Sequence, residues 1–401
     1  MESEAVISKG RGQGDAETTL DKEDSAVDLM IEVDGAPTKS ADTTKIQQQQ
    51  QEDVAMQSGA SESDSEESDD ECTSILFEEL PEWKDVTPVA LVVGSVMPIA
   101  FEARFQSVFG YFRAISASGE LSERGLQVAT QAAKLNAANY AVWVYRRKAL
   151  AFLKRDLNVE LSYISRVIEK HPKNYQVWYH RQRIVELLKD WSKELDFAAK
   201  ILKNDAKNYH VWQYRQHILR HFQILDHSEL QFTDRLLQED VFNNSAWMHR
   251  FFVLDNLPKA CGKETLLEGD SLAEEIRYTI AHINAQVHNE SPWSYLRGLL
   301  RDNWKTHFST VNELCKGLYN QEHRSPHLLG FMVDLLDEDI ANGYTASTAD
   351  EKGRLLQKLV EICNDLAQLH DRVRQIYWTW IRDTFQFKYH KQFLSETVPE
   401  V

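Results

Sequence analysis

Several things are scarce in this chain of 401 residues, and each scarcity excludes a class of protein. Four cysteines (Cys72, Cys261, Cys315, Cys363) are far apart and none forms a C-x-x-C pair. Neither a disulfide frame nor a cysteine-built zinc site is encoded, and free thiols suit a reducing, cytoplasmic compartment. No window approaches 18 uninterrupted apolar residues, and the polar start Met1-Glu2-Ser3-Glu4 is no secretory leader, so no membrane span is expected. Basic excess is missing too. There are 62 acidic and 45 basic side chains; residues 1–80 hold 22 acids against 5 bases, which leaves 40 of each sign in the remainder. A neutral body with an acidic tail argues against a nucleic-acid surface. No H-E-x-x-H, P-loop or G-x-S-x-G is present, and Gly10-Arg11-Gly12-Gln13-Gly14 follows no strand pattern.

What the chain does have is a repeat. Asn139-Tyr140-Ala141-Val142-Trp143-Val144-Tyr145-Arg146 is followed by Asn174-Tyr175-Gln176-Val177-Trp178-Tyr179-His180-Arg181, then by Asn208 to Arg215 and Asn243 to Arg250. The tryptophans at 143, 178, 212 and 247 are spaced 35, 34 and 35 apart, which marks one supersecondary unit copied along the chain. A weaker fifth copy places Trp293 46 residues on and lets its arginine slip to Arg297.

Each unit reads as a helix hairpin. After every tryptophan, apolar residues recur six, seven and ten positions on, as in Trp178, Ile184, Val185 and Leu188, which is one buried stripe of a helix. Shorter helices, such as those over Leu161–Ile168 and Leu195–Leu202, lie between, broken by His171-Pro172 or by Asn204-Asp205-Ala206. The asparagine that opens each unit is suited to cap its helix, and Pro172 ends the one before. A solenoid of stacked hairpins follows, all-α and free of the size limit on single cores. Tetratricopeptide repeats share the period, but their W-x-x-L-G-x-x-Y pattern is absent.

The division of the chain follows from composition. Residues 1–75 form an acidic tail too poor in large apolar groups to order, residues 76–100 an extended anchoring segment around Leu80-Pro81-Glu82-Trp83, and residues 101–395 the helical-repeat body. In the tail, acids stand three residues after Ser61, Ser63 and Ser68, the pattern of acidophilic-kinase substrates and also of a merely solubilising run.

The N-Y-x-V-W-x-[YH]-R unit resembles the repeat of protein prenyltransferase alpha subunits, most of all the branch shared by farnesyltransferase and type I geranylgeranyltransferase, and the resemblance runs from about Glu82 to Tyr389. It implies a right-handed superhelical crescent of hairpins that wraps a separate beta subunit and is inactive without it. It also implies transfer of a farnesyl or geranylgeranyl group from its diphosphate to the cysteine of a C-terminal C-a-a-X motif, as on Ras- and Rho-like proteins. Zinc is expected in the beta subunit and magnesium with the diphosphate, with no metal bound by this chain alone. Two alternatives stand beside this: the alpha subunit of Rab geranylgeranyltransferase, and a helical scaffold that only binds proteins.

Matched position by position, the resemblance makes Lys173 the residue that contacts the isoprenoid diphosphate and stabilises the leaving group. Lys207 occupies the same place one unit later without that role. Gln176 resembles the glutamine that binds the terminal carboxylate of the substrate peptide, and Tyr140, Tyr175, Asn208, Tyr209 and His210 resemble other groups at the rim. Trp143, Trp178, Trp212 and Trp247 recur in every copy, so packing is their expected role. Arg146, Arg181, Arg215 and Arg250 are expected to tie units together through carboxylates or loop carbonyls, or to face the partner. His217 and His221 have the i, i+4 spacing of metal ligands but no third ligand in the local sequence pattern.

Overall fold

The asparagines do cap their helices. In a computed structural model of the chain, which describes residues 77–90, 100–260 and 269–396, the side-chain oxygens of Asn139, Asn174, Asn208, Asn243 and Asn289 each accept the backbone N–H two residues on, at 2.9 to 3.1 Å. This satisfies one of the four donors that every helix start leaves open. Fifteen α-helices result, and no strand occurs among the described residues. The tail expected over residues 1–75 lies outside the described residues, as do residues 91–99 of the anchoring segment.

The chain divides into two compact units, residues 1–190 and 191–401. The first begins with two 3-10 turns, Phe77–Glu79 and Pro81–Trp83, where an extended segment was expected. Burial of Trp83 accounts for the difference. Its ring meets Phe77 and Tyr111 edge-on, with centroids 4.9 and 5.3 Å apart, and Pro81 at the first helical position already has the φ that the second turn needs. Helices α1 (Ala103–Ser118), α2 (Glu123–Leu135), α3 (Tyr140–Phe152), α4 (Leu157–Lys170) and α5 (Tyr175–Leu188) follow. α2 packs on α1 and α3, α4 packs on α5, and α3 also packs on α5. Gly125 permits one such approach: a Cβ there would lie 1.8 Å from the Tyr145 hydroxyl, which donates to the Glu120 carbonyl.

The second unit holds α6 (Glu194–Asn204), α7 (Tyr209–His221), α8 (Ser228–Glu239), α9 (Asn244–Ala260), α10 (Gly269–Ala285) and α11 (Glu290–Leu300). It continues with α12 (Trp304–Asn320), α13 (Pro326–Asn342), α14 (Ala349–Asp365) and α15 (Gln375–Glu396). Here α9 and α11, which carry copies of the motif, and α13, which follows them, pack in succession. The expected stripes are buried: Ile184, Val185, Ile218 and Leu219 have no exposed surface. Cys315 and Cys363 are free and buried, and burial pushes both thiols up to about 12, so neither is a reactive thiolate near neutral pH.

Every tryptophan of the motif does the same work. The indole Nε1 donates to the carbonyl six residues earlier: Trp143 to Ala137, Trp178 to Pro172, Trp212 to Ala206, Trp247 to Val241 and Trp293 to Val287, at 2.8 to 3.0 Å. A six-residue reach crosses the helix start and fastens the preceding turn to the ring, so each hairpin carries its own clamp.

Candidate functional site

The arginines of the motif are buried, and a buried guanidinium is tolerable only beside a carboxylate with its donors used. Arg146 donates through Nε and Nη2 to Glu160, Arg215 likewise to Glu229, and Arg250 likewise to Glu275, at 2.5 to 3.0 Å. Arg215 also reaches the Leu195 carbonyl, and Arg181 donates to the Ser165 hydroxyl at 2.7 Å. The displaced Arg297 of the fifth copy pairs with Asp334 instead, at 2.6 Å.

In four of the five copies the residue two positions after the tryptophan also bonds to a carboxylate, and in three of them that carboxylate is one the arginines use. His180 meets Glu160 at 2.8 Å, Tyr214 bonds to Glu194, His249 meets Glu229 at 2.9 Å and Tyr295 donates to Glu275 at 2.7 Å. These histidines are neutral. His180 Nδ1 lies 3.5 Å from an Arg147 nitrogen that can only donate, so Nδ1 accepts and Nε2–H donates to Glu160. Burial takes the His180 imidazolium down to about 4, against the pull of Glu160, and moves His249 the same way. Glu160 goes down to about 2: the His180 and Arg146 hydrogen bonds outweigh the burial that would raise it. These are folding devices, and the sequence reading had assigned no partner to the tyrosines and histidines at this place.

The exposed chemistry lies at the turns before the motif helices. Lys173 is exposed in the turn between α4 and α5, one residue ahead of the cap Asn174, and Gln176 is half-buried in the first turn of α5. Four N–H groups converge at such a helix start, and the helix dipole adds a positive potential, so the place is suited to an anion. Tyr175 is half exposed there and stacks on Tyr179 with centroids 6.2 Å apart. Tyr140 occupies the matching place on α3, again exposed.

In the second unit, Lys207 and Tyr209 are exposed at the corresponding turn before α7, and His210 is half-buried. Asn208 is buried, and its side-chain oxygen accepts the N–H groups of both His210 and Val211. His217 and His221 stack on the same helix with centroids 5.3 Å apart. Lys173, Gln176, Tyr140 and Tyr175 thus belong to the first unit, and Asn208, Tyr209 and His210 to the second. In the first unit the ammonium of Lys173, the amide of Gln176 and the phenols of Tyr140 and Tyr175 are hydrogen-bond donors of the kind that suits an anionic ligand.

The comparison with known proteins agrees with the repeat. The protein prenyltransferase alpha subunit repeat matches residues 122–153, 157–188, 191–222 and 226–257, each spanning one hairpin. A Solanum lycopersicum protein, "Protein farnesyltransferase/geranylgeranyltransferase type-1 subunit alpha", is 38% identical over 319 residues, covering 77% of this chain and 90% of that protein. A Dictyostelium discoideum protein of the same description is 32% identical, covering 77% and 94%. Among solved structures, "Candida albicans protein geranylgeranyltransferase-I complexed with GGPP" is similar with a TM-score of 0.64 and 26% identity, covering 75% of this chain and 98% of that one. With identity of this order across three quarters of its length and four copies of the family's repeat, the chain belongs to the protein prenyltransferase alpha subunit family.

Proposed function

We propose that this chain is the alpha subunit of a heterodimeric enzyme that transfers a farnesyl or geranylgeranyl group from its diphosphate to the cysteine of a C-terminal C-a-a-X motif. The relatives' names, which join farnesyltransferase with type-1 geranylgeranyltransferase, support it over the Rab-specific branch. The observation that carries the reading is local: an exposed lysine and a half-buried glutamine flank one capped helix start, at Lys173 and Gln176. A scaffold that only bound proteins would need the clamps and the buried relays but neither of these two.

In this reading Lys173 places its ammonium beside the diphosphate, at the positive end of α5. Negative charge grows on the leaving group as the bond to the prenyl carbon breaks, so a fixed cation there acts more strongly on the transition state than on the bound substrate. Lys173 stabilises charge and moves no proton. Gln176 offers amide N–H donors to the carboxylate that ends the substrate peptide. Tyr140, Tyr175 and Tyr209 add phenol donors and ring faces at successive helix starts, and His210 a further donor. The contribution of Asn208 is indirect, because its oxygen is engaged in holding the α7 start that presents Tyr209 and His210.

Zinc, which would hold the substrate cysteine as thiolate, belongs to the partner subunit in this proposal, and magnesium to the diphosphate. The chain acts only with that partner, and its place is the cytoplasm. Co-expression with a farnesyltransferase or type I geranylgeranyltransferase beta subunit tests this. The expected outcome is a heterodimer that prenylates C-a-a-X peptides; a chain that stays monomeric and inert beside both partners contradicts the proposal.

A further inference from the structure

Of the five copies of the motif, one places an aromatic ring directly after its tryptophan. Val144, Tyr179, Gln213, Met248 and Ser294 occupy that position, and Tyr179 belongs to the copy that also holds Lys173 and Gln176. On α5 it stands four residues beyond Tyr175, so the two side chains share one face of the helix, and a helical side chain leans back over the turn before it. The rings are accordingly near parallel, 8° apart in plane with centroids separated by 6.2 Å, which is an offset stack. The lower ring is held in turn from the neighbouring helix. Arg147 of α3 is 8% exposed, and its guanidinium carbon lies 5.4 Å from the Tyr179 ring centroid, within cation–π range. One of its terminal nitrogens lies 3.5 Å from Nδ1 of His180, the next residue of α5, and α3 packs on α5. The next three copies have Gln182, Gln216 and Phe251 where the first has Arg147.

We infer, within the function proposed for this chain, that Tyr179 is a positioning residue: it fixes the Tyr175 ring at the rim where an anionic substrate group docks, and Arg147 fixes Tyr179. Cation, lower ring and upper ring form a ladder that runs from a buried residue through a partly buried one to one that is 51% exposed. Tyr140 and Tyr209, the phenols at the corresponding helix starts, have Val144 and Gln213 one turn on in place of a second ring. An exposed side chain samples several rotamers, and ordering it when a ligand arrives costs free energy. A ring already stacked on a held neighbour pays less of that cost. Tyr179 therefore acts on binding through Tyr175, while the charge that develops on the leaving group is left to Lys173, so KM and not kcat carries its effect.

Steady-state kinetics of the heterodimer, joined with fluorine NMR of 3-fluorotyrosine at position 175 in the same complex, test this. Tyr179→Leu should raise the KM for the prenyl diphosphate or for the C-a-a-X peptide about fivefold, with kcat within about twofold, and should shift and broaden the fluorine resonance. Tyr179→Phe keeps the ring and should rescue both the KM and the resonance. Tyr179→Met, which installs the residue type of the fourth copy, repeats the measurement should leucine disturb the dimer. In a Tyr175→Ala background Tyr179→Leu should add nothing further. A KM effect that persists in that background, one that Tyr179→Phe reproduces in full, or a resonance unmoved by Tyr179→Leu would overturn the inference. So would an unchanged KM in a dimer that Lys173→Ala still slows. Should Lys173→Ala also be without effect, the proposed function itself has failed, and the resonance alone decides whether Tyr179 orients Tyr175.

Discussion

The turns that carry Lys173 and Lys207 are built alike and differ in what they display. In both, an asparagine caps the following helix, and a tryptophan clamps the carbonyl six residues before it, Trp178 to Pro172 and Trp212 to Ala206. The difference lies at the surface. Asp205 accepts the Lys207 backbone N–H at 3.2 Å, so a carboxylate lies within that turn; the matching place before Lys173 is His171. An anion would meet an acid in one turn and an imidazole in the other. Gln176 likewise stands where the next copy has His210. Repetition therefore marks what folds the chain, and the departures from it fall where the proposed ligand contacts stand.

That contrast breaks first at the buried relays, where the two copies should respond equally. Glu160→Ala would strand the Arg146 guanidinium and the His180 N–H, and Glu229→Ala would do the same to Arg215 and His249. Each should cost about 3–5 kcal/mol in urea unfolding of the chain. A large loss in one copy alone would end their equivalence.

The next effect is one of pH. His180 and His249 are held neutral, with folded values below the ordinary 6.5, so the unfolded chain takes up protons first and stability falls as pH drops below that value. The His180 contribution, about 3 kcal/mol, disappears between pH 6.5 and about 4, and Glu160 adds a further loss from 4.5 down to about 2. Urea midpoints at pH 7.5 and 5 check this; a flat profile would contradict it. Trp178→Phe and Trp212→Phe remove a clamp each and should cost about 1–3 kcal/mol. Asn174→Ala and Asn208→Ala remove a cap each, for about 1 kcal/mol, read as a lower Tm of several degrees at most.

Much of this architecture is legible in the residues because it is local. The cap and its helix lie two residues apart and the clamp six, so Asn174 and Trp178 announce themselves by position. The relays are not local. Glu160 stands 14 residues after Arg146 and 20 before His180, on a different helix, and no periodicity singles it out from Glu169, the other acid of α4. In the fourth copy the interval from Arg250 to Glu275 stretches to 25, so even the spacing drifts. The arginines suggested carboxylate partners, but only the fold selects which. The 3-10 turns at Phe77 and Pro81 were hidden for the same reason: the aromatic cluster that favours them joins Phe77 and Trp83 to Tyr111, on another element.

Lys173 and Gln176 were singled out by the family resemblance, since an exposed lysine in a turn has no signature of its own. Their proposed role is tested most directly by paired single-turnover measurements on the heterodimer, with Lys173→Ala beside Lys207→Ala. Loss of one charged stabiliser should raise the barrier by about 1.4–4 kcal/mol, or ten- to several-hundredfold in rate, for Lys173→Ala, while Lys207→Ala stays within about twofold and both dimers remain intact. Equal loss from the two substitutions, or none from Lys173→Ala, would contradict the assignment of the chemistry to a single copy of the repeat.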